Sequence, residues 1–258
     1  MHHSHIDKFA YQDSWIHRLD SRVKFITTVV FTAVVISLPY TSLSILACYA
    51  VGPFTILVIA SIPIRFVLKQ TLLVIPFVLV LALSCPFYDK SPISFAFGPF
   101  FCNTSVGWMR CWSILAKFLV TMSALIALVS TTRFSNLLVG IRRLGAPKLL
   151  VIQLGFLYRY IFVLIDTVHR ILRARNCRKL RNLGFEKELK TASAMIGSLL
   201  TRSIDKAHRI HTAMQGRGFD GTWRSISPLH AGCSDLVFVL IGALFIFGLY
   251  FLVKPFLG

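Results

Sequence analysis

Two arginines stand between small residues in this chain: Arg175 between Ala174 and Asn176, and Arg217 between Gly216 and Gly218. A guanidinium presents a flat fork of donors that a carboxylate can meet with two parallel hydrogen bonds, and lysine cannot make that fork. Small neighbours leave room for a partner's groove to close around it. The plainer role for an arginine near a helix carboxyl end is local, through the helix dipole. A matched pair about forty residues apart, each closing a similar long helical pattern, instead favours docking into two equivalent grooves of another protein.

Other residues that could do chemistry are sparse. Only ten acids are present, and Asp166 and Asp205 stand isolated. No D-x-x-x-D, H-E-x-x-H or G-x-S-x-G pattern occurs, which argues against an intramembrane enzyme such as a lipid-modifying transferase. His2, His3, His5 and His17 invite a metal hypothesis, but no Cys, Asp or Glu stands at a spacing that completes a closed site. We therefore expect no metal and no cofactor. The six cysteines form no C-x-x-C pair; Cys85 and Cys102 can share one outer loop and bond, with free thiols the simpler state. Lys117, near the middle of an apolar stretch, has no evident acidic partner. One such lysine, without inverted repeats, is thin support for a free-standing channel or secondary carrier.

The elements that must position the arginines are set by composition. The 258 residues are 55% hydrophobic with 22 Phe, and the mean hydropathy is +0.70. The excess lies in blocks, and about 20 helical residues cross roughly 30 Å of hydrocarbon. Five spans are expected: about Val23–Leu38, Leu43–Ile62, Val67–Cys85 with a kink at Pro76, Trp108–Thr131 and Asp235–Val253. The first twenty-odd residues are polar and aromatic for too long to be a cleavable signal. The Phe-, Gly- and Pro-rich connection before Trp108 is nearly uncharged and suits the outer face.

Charge orients this arrangement. Lys8, Arg18, Arg22 and Lys24 precede the first span, Arg65 and Lys69 follow the second, and Arg133, Arg142 and Arg143 follow the fourth. The positive-inside rule places all three groups, and the amino terminus, on the cytoplasmic side. Residues 133–224 hold 18 Lys and Arg against 5 Asp and Glu, so +13 of the formal +18 lies there. Spans on both sides of the basic stretch argue against nucleic acid and for a lipid-bilayer setting. Within it, FSNLLVGIRRLG reads as a short amphipathic helix stopped at Gly145. Pro147 opens a second helix to about Cys177, and a third runs from about Glu186 to Gly216. Each long helix reaches roughly 45 Å, apolar in part and basic in part, as at a membrane boundary. A hairpin that packs only on itself is the alternative, and it leaves both arginines unexplained. The expected fold is thus an all-α integral membrane protein. Residues 1–132 form the amino-terminal segment and four transmembrane helices, 133–224 the cytoplasmic coupling helices, and 225–258 the last transmembrane helix.

The run from Leu144 to Arg175, together with Ser198–Gly221, resembles the coupling region of energy-coupling factor transporter T components. His5–Phe25 is similar to the cobalt-type, CbiQ-like subfamily, and the resemblance covers nearly the whole chain. Its most specific parts are Gly216-Arg217-Gly218-Phe219-Asp220-Gly221, Leu199-Leu200-Thr201-Arg202-Ser203 and Leu19-Asp20-Ser21-Arg22-Val23-Lys24. The resemblance implies that the two small-Arg-small triplets hold two ATP-binding-cassette ATPase subunits. It also implies that the membrane region cradles a CbiM-like metal-capture subunit, with which a small CbiN-like subunit can associate. The chain itself would be non-catalytic, in a bacterial or archaeal plasma membrane, with Co²⁺ or Ni²⁺ bound by the capture subunit and, for cobalt, used in cobalamin biosynthesis. Asn176 stands where the family usually has Gly. A T component shared among vitamin capture proteins is the alternative within the family.

Overall fold

The computed structural model describes residues 12, 14–39, 43–88, 92–97, 100–179, 184–221 and 232–253. These fall into two compact units: the described residues up to Gly140 together with the last helix, and those from Ile141 to Gly221. Nine helices are described: α1 (Trp15–Arg18), α2 (Ser21–Ser37), α3 (Leu43–Ile59), α4 (Ile64–Tyr88), α5 (Val106–Thr131), α6 (Phe134–Arg143), α7 (Lys148–Arg178), α8 (Phe185–Gln215) and α9 (Cys233–Val253). Helices stand at all five expected spans, as α2, α3, α4, α5 and α9, but α2 is neither long nor apolar enough to count with the others; the chain is a helical, multi-pass integral membrane protein. Helices α4 and α5 are long and apolar enough to cross a bilayer, and α3 and α9 contain shorter apolar stretches. Helix α7 is also long and apolar enough to cross a bilayer, through its stretch from Leu149 to Ile165. That stretch is the apolar run before the helix turns basic at His169-Arg170.

Strands β1 (Pro92–Phe97) and β2 (Phe100–Ser105) form an antiparallel hairpin within the connection read as a plain loop. The alternation in Ile93-Ser94-Phe95-Ala96-Phe97, followed by Gly98-Pro99, carries the period-two and turn signals of such a hairpin. Pro76 and Pro86 both lie inside α4, and Pro53 lies inside α3.

In the first unit α5 is the central helix, packed by α2, α3 and α4, while α9 packs on α2 and α3. The core gathers Phe31, Val35 and Leu38 with Leu46, Tyr49, Val120, Ala124 and Ile246. The Tyr49 hydroxyl, fully buried, donates to the Ile246 carbonyl at 3.0 Å, which ties α3 to α9 where no water is at hand. Gly52 gives α9 room: a Cβ there would stand 2.8 Å from the Phe245 ring. Hydroxyls within the spans return to their own helix, as Thr28 does to the Lys24 carbonyl and Thr121 to that of Lys117, both at 2.8 Å. That bonding lets them sit in an apolar setting without orphaned donors.

Two lysines cap each other's helices. Lys24, buried in α2, donates to the Thr131 carbonyl at the end of α5 at 3.0 Å and to the His17 carbonyl at 3.4 Å. Lys117 of α5 donates to the Ile36 carbonyl at 3.0 Å and to the Leu38 carbonyl, at the end of α2. The last carbonyls of a helix lack intrahelical partners and carry the negative end of its dipole, so an ammonium stabilises both. Lys117 therefore has a structural partner that sequence inspection could not identify, because that partner is backbone.

Candidate docking site and polar knot

The second unit carries both arginine triplets. Helix α7 begins after Pro147, whose missing N–H is harmless there, and Gly145, at φ +104°, ends the preceding turn. Helix α8 begins after Gly184. Long helices of this kind usually bury a stripe; α8 buries no residue, and α7 buries only Val151 and Gly155. Leu189, Ile196, Leu200 and Ile204 on α8 are all exposed. So large an apolar surface within one helix pair marks an interaction face.

The two triplets differ in backbone. Ala174, Arg175 and Asn176 lie within the last turns of α7. Helical φ/ψ is open to Asn, and Gly there would cost up to about 1 kcal/mol, so the replacement of the usual Gly leaves the helix intact. Gly216-Arg217-Gly218 instead forms the close of α8. The Phe219 N–H donates to the Met214 carbonyl at 3.1 Å and that of Gly218 to the Gln215 carbonyl at 2.9 Å. This is a Schellman cap with Gly218 at φ +73°, a conformation that favours glycine. The cap sends Phe219 back to α7, where its ring meets Phe156 edge-on at 6.4 Å. Together with Tyr160, Ile210 and Met214 these rings line a cavity of about 360 Å³.

Arg175 is half-buried and meets a carboxylate of its own chain: its Nη2 lies 3.5 Å from Glu188 Oε1. Lys179 Nζ donates to the same oxygen at 2.6 Å. The Lys179 hydrogen bond, and after it the Lys179 charge, hold the Glu188 carboxyl below the usual carboxylate range, with Arg175 adding a smaller pull. Arg217 is exposed and has no ion pair among the described residues. Neither Glu188 nor Phe219 was singled out for a role from sequence. Glu188 reads as an ordinary acid in a helix's first turn, and Phe219 as one letter of a longer motif.

The first unit explains the Leu19–Lys24 motif. Asp20 caps α2 by accepting from the Arg22 N–H at 3.0 Å. Its own N–H donates to Asp235 Oδ1 at 2.8 Å, and Asp235 Oδ2 accepts from the Gly232 N–H at 2.8 Å. Ser21 Oγ donates to the Asn136 carbonyl of α6 at 2.8 Å, beside Gly140, where a Cβ would crowd that hydroxyl at 3.1 Å. Asp20, Ser21, Lys24 and Asp235 are all buried. The motif is thus a polar knot joining the ends of α2, α5, α6 and α9.

The remaining candidates are soon placed. Cys85 is a free thiol, and the side chain of Cys102 lies outside the described residues, as do His2, His3 and His5. His17 Nδ1 shares a 2.7 Å hydrogen bond with Ser14 Oγ. Among the described residues no three His, Cys, Asp or Glu groups gather as a metal site.

Comparison with known proteins shows the family. A family model described as CbiQ, cobalt transport protein, matches residues 12–229. The chain belongs to the CbiQ family. A cobalt transport protein CbiQ of Rhodobacter capsulatus is 26% identical over 236 residues, 92% of each chain. An energy-coupling factor transporter transmembrane protein EcfT of Leuconostoc gelidum is 27% identical over 230 residues, 83% of each chain. An uncharacterised protein of Methanocaldococcus jannaschii is 24% identical over 246 residues, covering 91% of this chain and 81% of that one.

Proposed function

We propose that this CbiQ-family protein is the transmembrane coupling subunit of an ATP-driven energy-coupling factor importer for Co²⁺ or Ni²⁺. In this reading residues 133–224 are the cytoplasmic coupling region, the amino terminus is cytoplasmic, and the spans hold the metal-capture subunit. Arg175, between Ala174 and Asn176, and Arg217, between Gly216 and Gly218, each dock one ATP-binding-cassette subunit. ATP binding and hydrolysis move those subunits, α7 and α8 tilt with them, and the CbiM-like capture subunit reorients to release its cargo. The ion is substrate, bound by that partner, and the chain described here performs no hydrolysis itself.

The observation that carries the reading is the placement of the two arginines. Each stands at the carboxyl end of a long helix that leaves its apolar face uncovered. Similarity to proteins named EcfT also keeps open a T component serving vitamin capture proteins. The match to a cobalt-transport family over most of the chain favours the metal. Uptake of radiolabelled Co²⁺ and Ni²⁺ by cells expressing the full transporter tests the proposal. The Arg175→Ala, Arg217→Ala double variant should insert normally and fail to import; normal import by that variant overturns it.

A further inference from the structure

The two ends of the α7–α8 pair are fastened by unlike chemistry. At one end an ionic contact reaches from Glu188 of α8 to Arg175 of α7 and to Lys179, which caps α7. At the other, the Phe219 ring after α8 rests on Phe156 of α7. Roughly 28 Å of α7 separates the two fastenings. Each arginine triplet is therefore held against the opposite helix, the first by charge and the second by an aromatic contact and a glycine cap.

We propose that Glu188 is a positioning residue for the first docking arginine, so that the two docking sites are inequivalent; the inference rests on the docking role of Arg175 and Arg217. The geometry separates positioning from blockade. Glu188 Oε1 takes its short bond, 2.6 Å, from Lys179, while Arg175 stands at 3.5 Å, longer than a charge-assisted hydrogen bond. Lys179 thus balances the Glu188 charge, and most of the five guanidinium donors stay available to an incoming carboxylate. The triad offers one net positive charge, as Arg217 does alone, but on a side chain already restrained. Restraint before binding reduces the ordering cost when the partner arrives. Arg217 takes its restraint from the backbone of its cap instead. The first site should accordingly weaken when salt screens the Glu188 contact, and the second should lack that contribution.

The test uses the full-length protein in nanodiscs, titrated with its purified ATPase subunits over a range of salt. With Arg217→Ala, only the first site remains, and adding Glu188→Gln should weaken binding roughly threefold, the scale of a solvent-exposed ion pair. With Arg175→Ala, only the second site remains, and Glu188→Gln should change nothing. A variant that merely loosened the fold would weaken both backgrounds alike. Unchanged or tighter binding in the Arg217→Ala background, or equal loss in both, overturns the inference. If Arg175→Ala alone leaves binding intact, the docking reading itself has failed.

Discussion

Asp235 stands 215 residues from Asp20 in sequence, yet its carboxylate accepts the buried Asp20 N–H and the Gly232 N–H, each at 2.8 Å. Replacing it with Ala leaves the buried Asp20 N–H without its acceptor, at about 1–3 kcal/mol, while the N–H of the exposed Gly232 can turn to water. It also removes one of the two carboxylates beside the buried Lys24 ammonium, and breaking a buried charge arrangement costs about 3–5 kcal/mol. These effects overlap, so about 3–5 kcal/mol is expected for Asp235→Ala. Asp235→Asn loses the same charge but keeps one carbonyl oxygen for one donor, so it should cost about 1–3 kcal/mol less than the Ala variant. At roughly 2–4 °C per kcal/mol for a chain of this size, the Ala variant should melt about 6–20 °C below wild type. Thermal unfolding of the purified protein in detergent, followed by the loss of the monodisperse size-exclusion peak, measures this directly. An Ala variant as stable as wild type, or more stable than the Asn variant, refutes the knot.

Other perturbations follow from the same contacts. Lys117→Met removes the donor to the Ile36 and Leu38 carbonyls and should destabilise the protein by about 1–3 kcal/mol, read in the same melting assay. Gly218→Ala forces a side chain into the left-handed region at φ +73° and should cost about 1–2 kcal/mol in the α8 cap. Asn176→Gly should bring no gain, since that residue keeps helical backbone in the last turns of α7; hydrogen exchange at the ends of α7 and α8 separates these two outcomes. The Glu188 carboxyl is held below the ordinary carboxylate value of 4.5, so its bridge stabilises fully above that value and is lost as pH falls through the lower folded one. Its ¹³C titration should return toward the ordinary range in Lys179→Met.

Much of this fold is legible in the sequence because a membrane demands long apolar runs, and Pro147 and Gly184 precede the two long helices α7 and α8. The spacing of the two arginine triplets is legible too, and the glycines of the second serve in addition as the cap of α8. Contacts that join distant segments are not. Glu188 of α8 meets Arg175 of α7, Asp235 meets Asp20 across most of the chain, and Lys117 binds carbonyls that every residue possesses. Composition cannot specify such partners; only the packed geometry does. The hairpin after α4 was within reach, as its alternation and Gly98-Pro99 signal it.

The most direct measurement of the central claim counts ATPase subunits retained by the purified chain. Wild type should hold two, each single variant, Arg175→Ala or Arg217→Ala, should hold one firmly, and the double variant none. Each loss should reflect about 2–5 kcal/mol of a desolvated charge pair. Two subunits retained by the double variant would contradict the account.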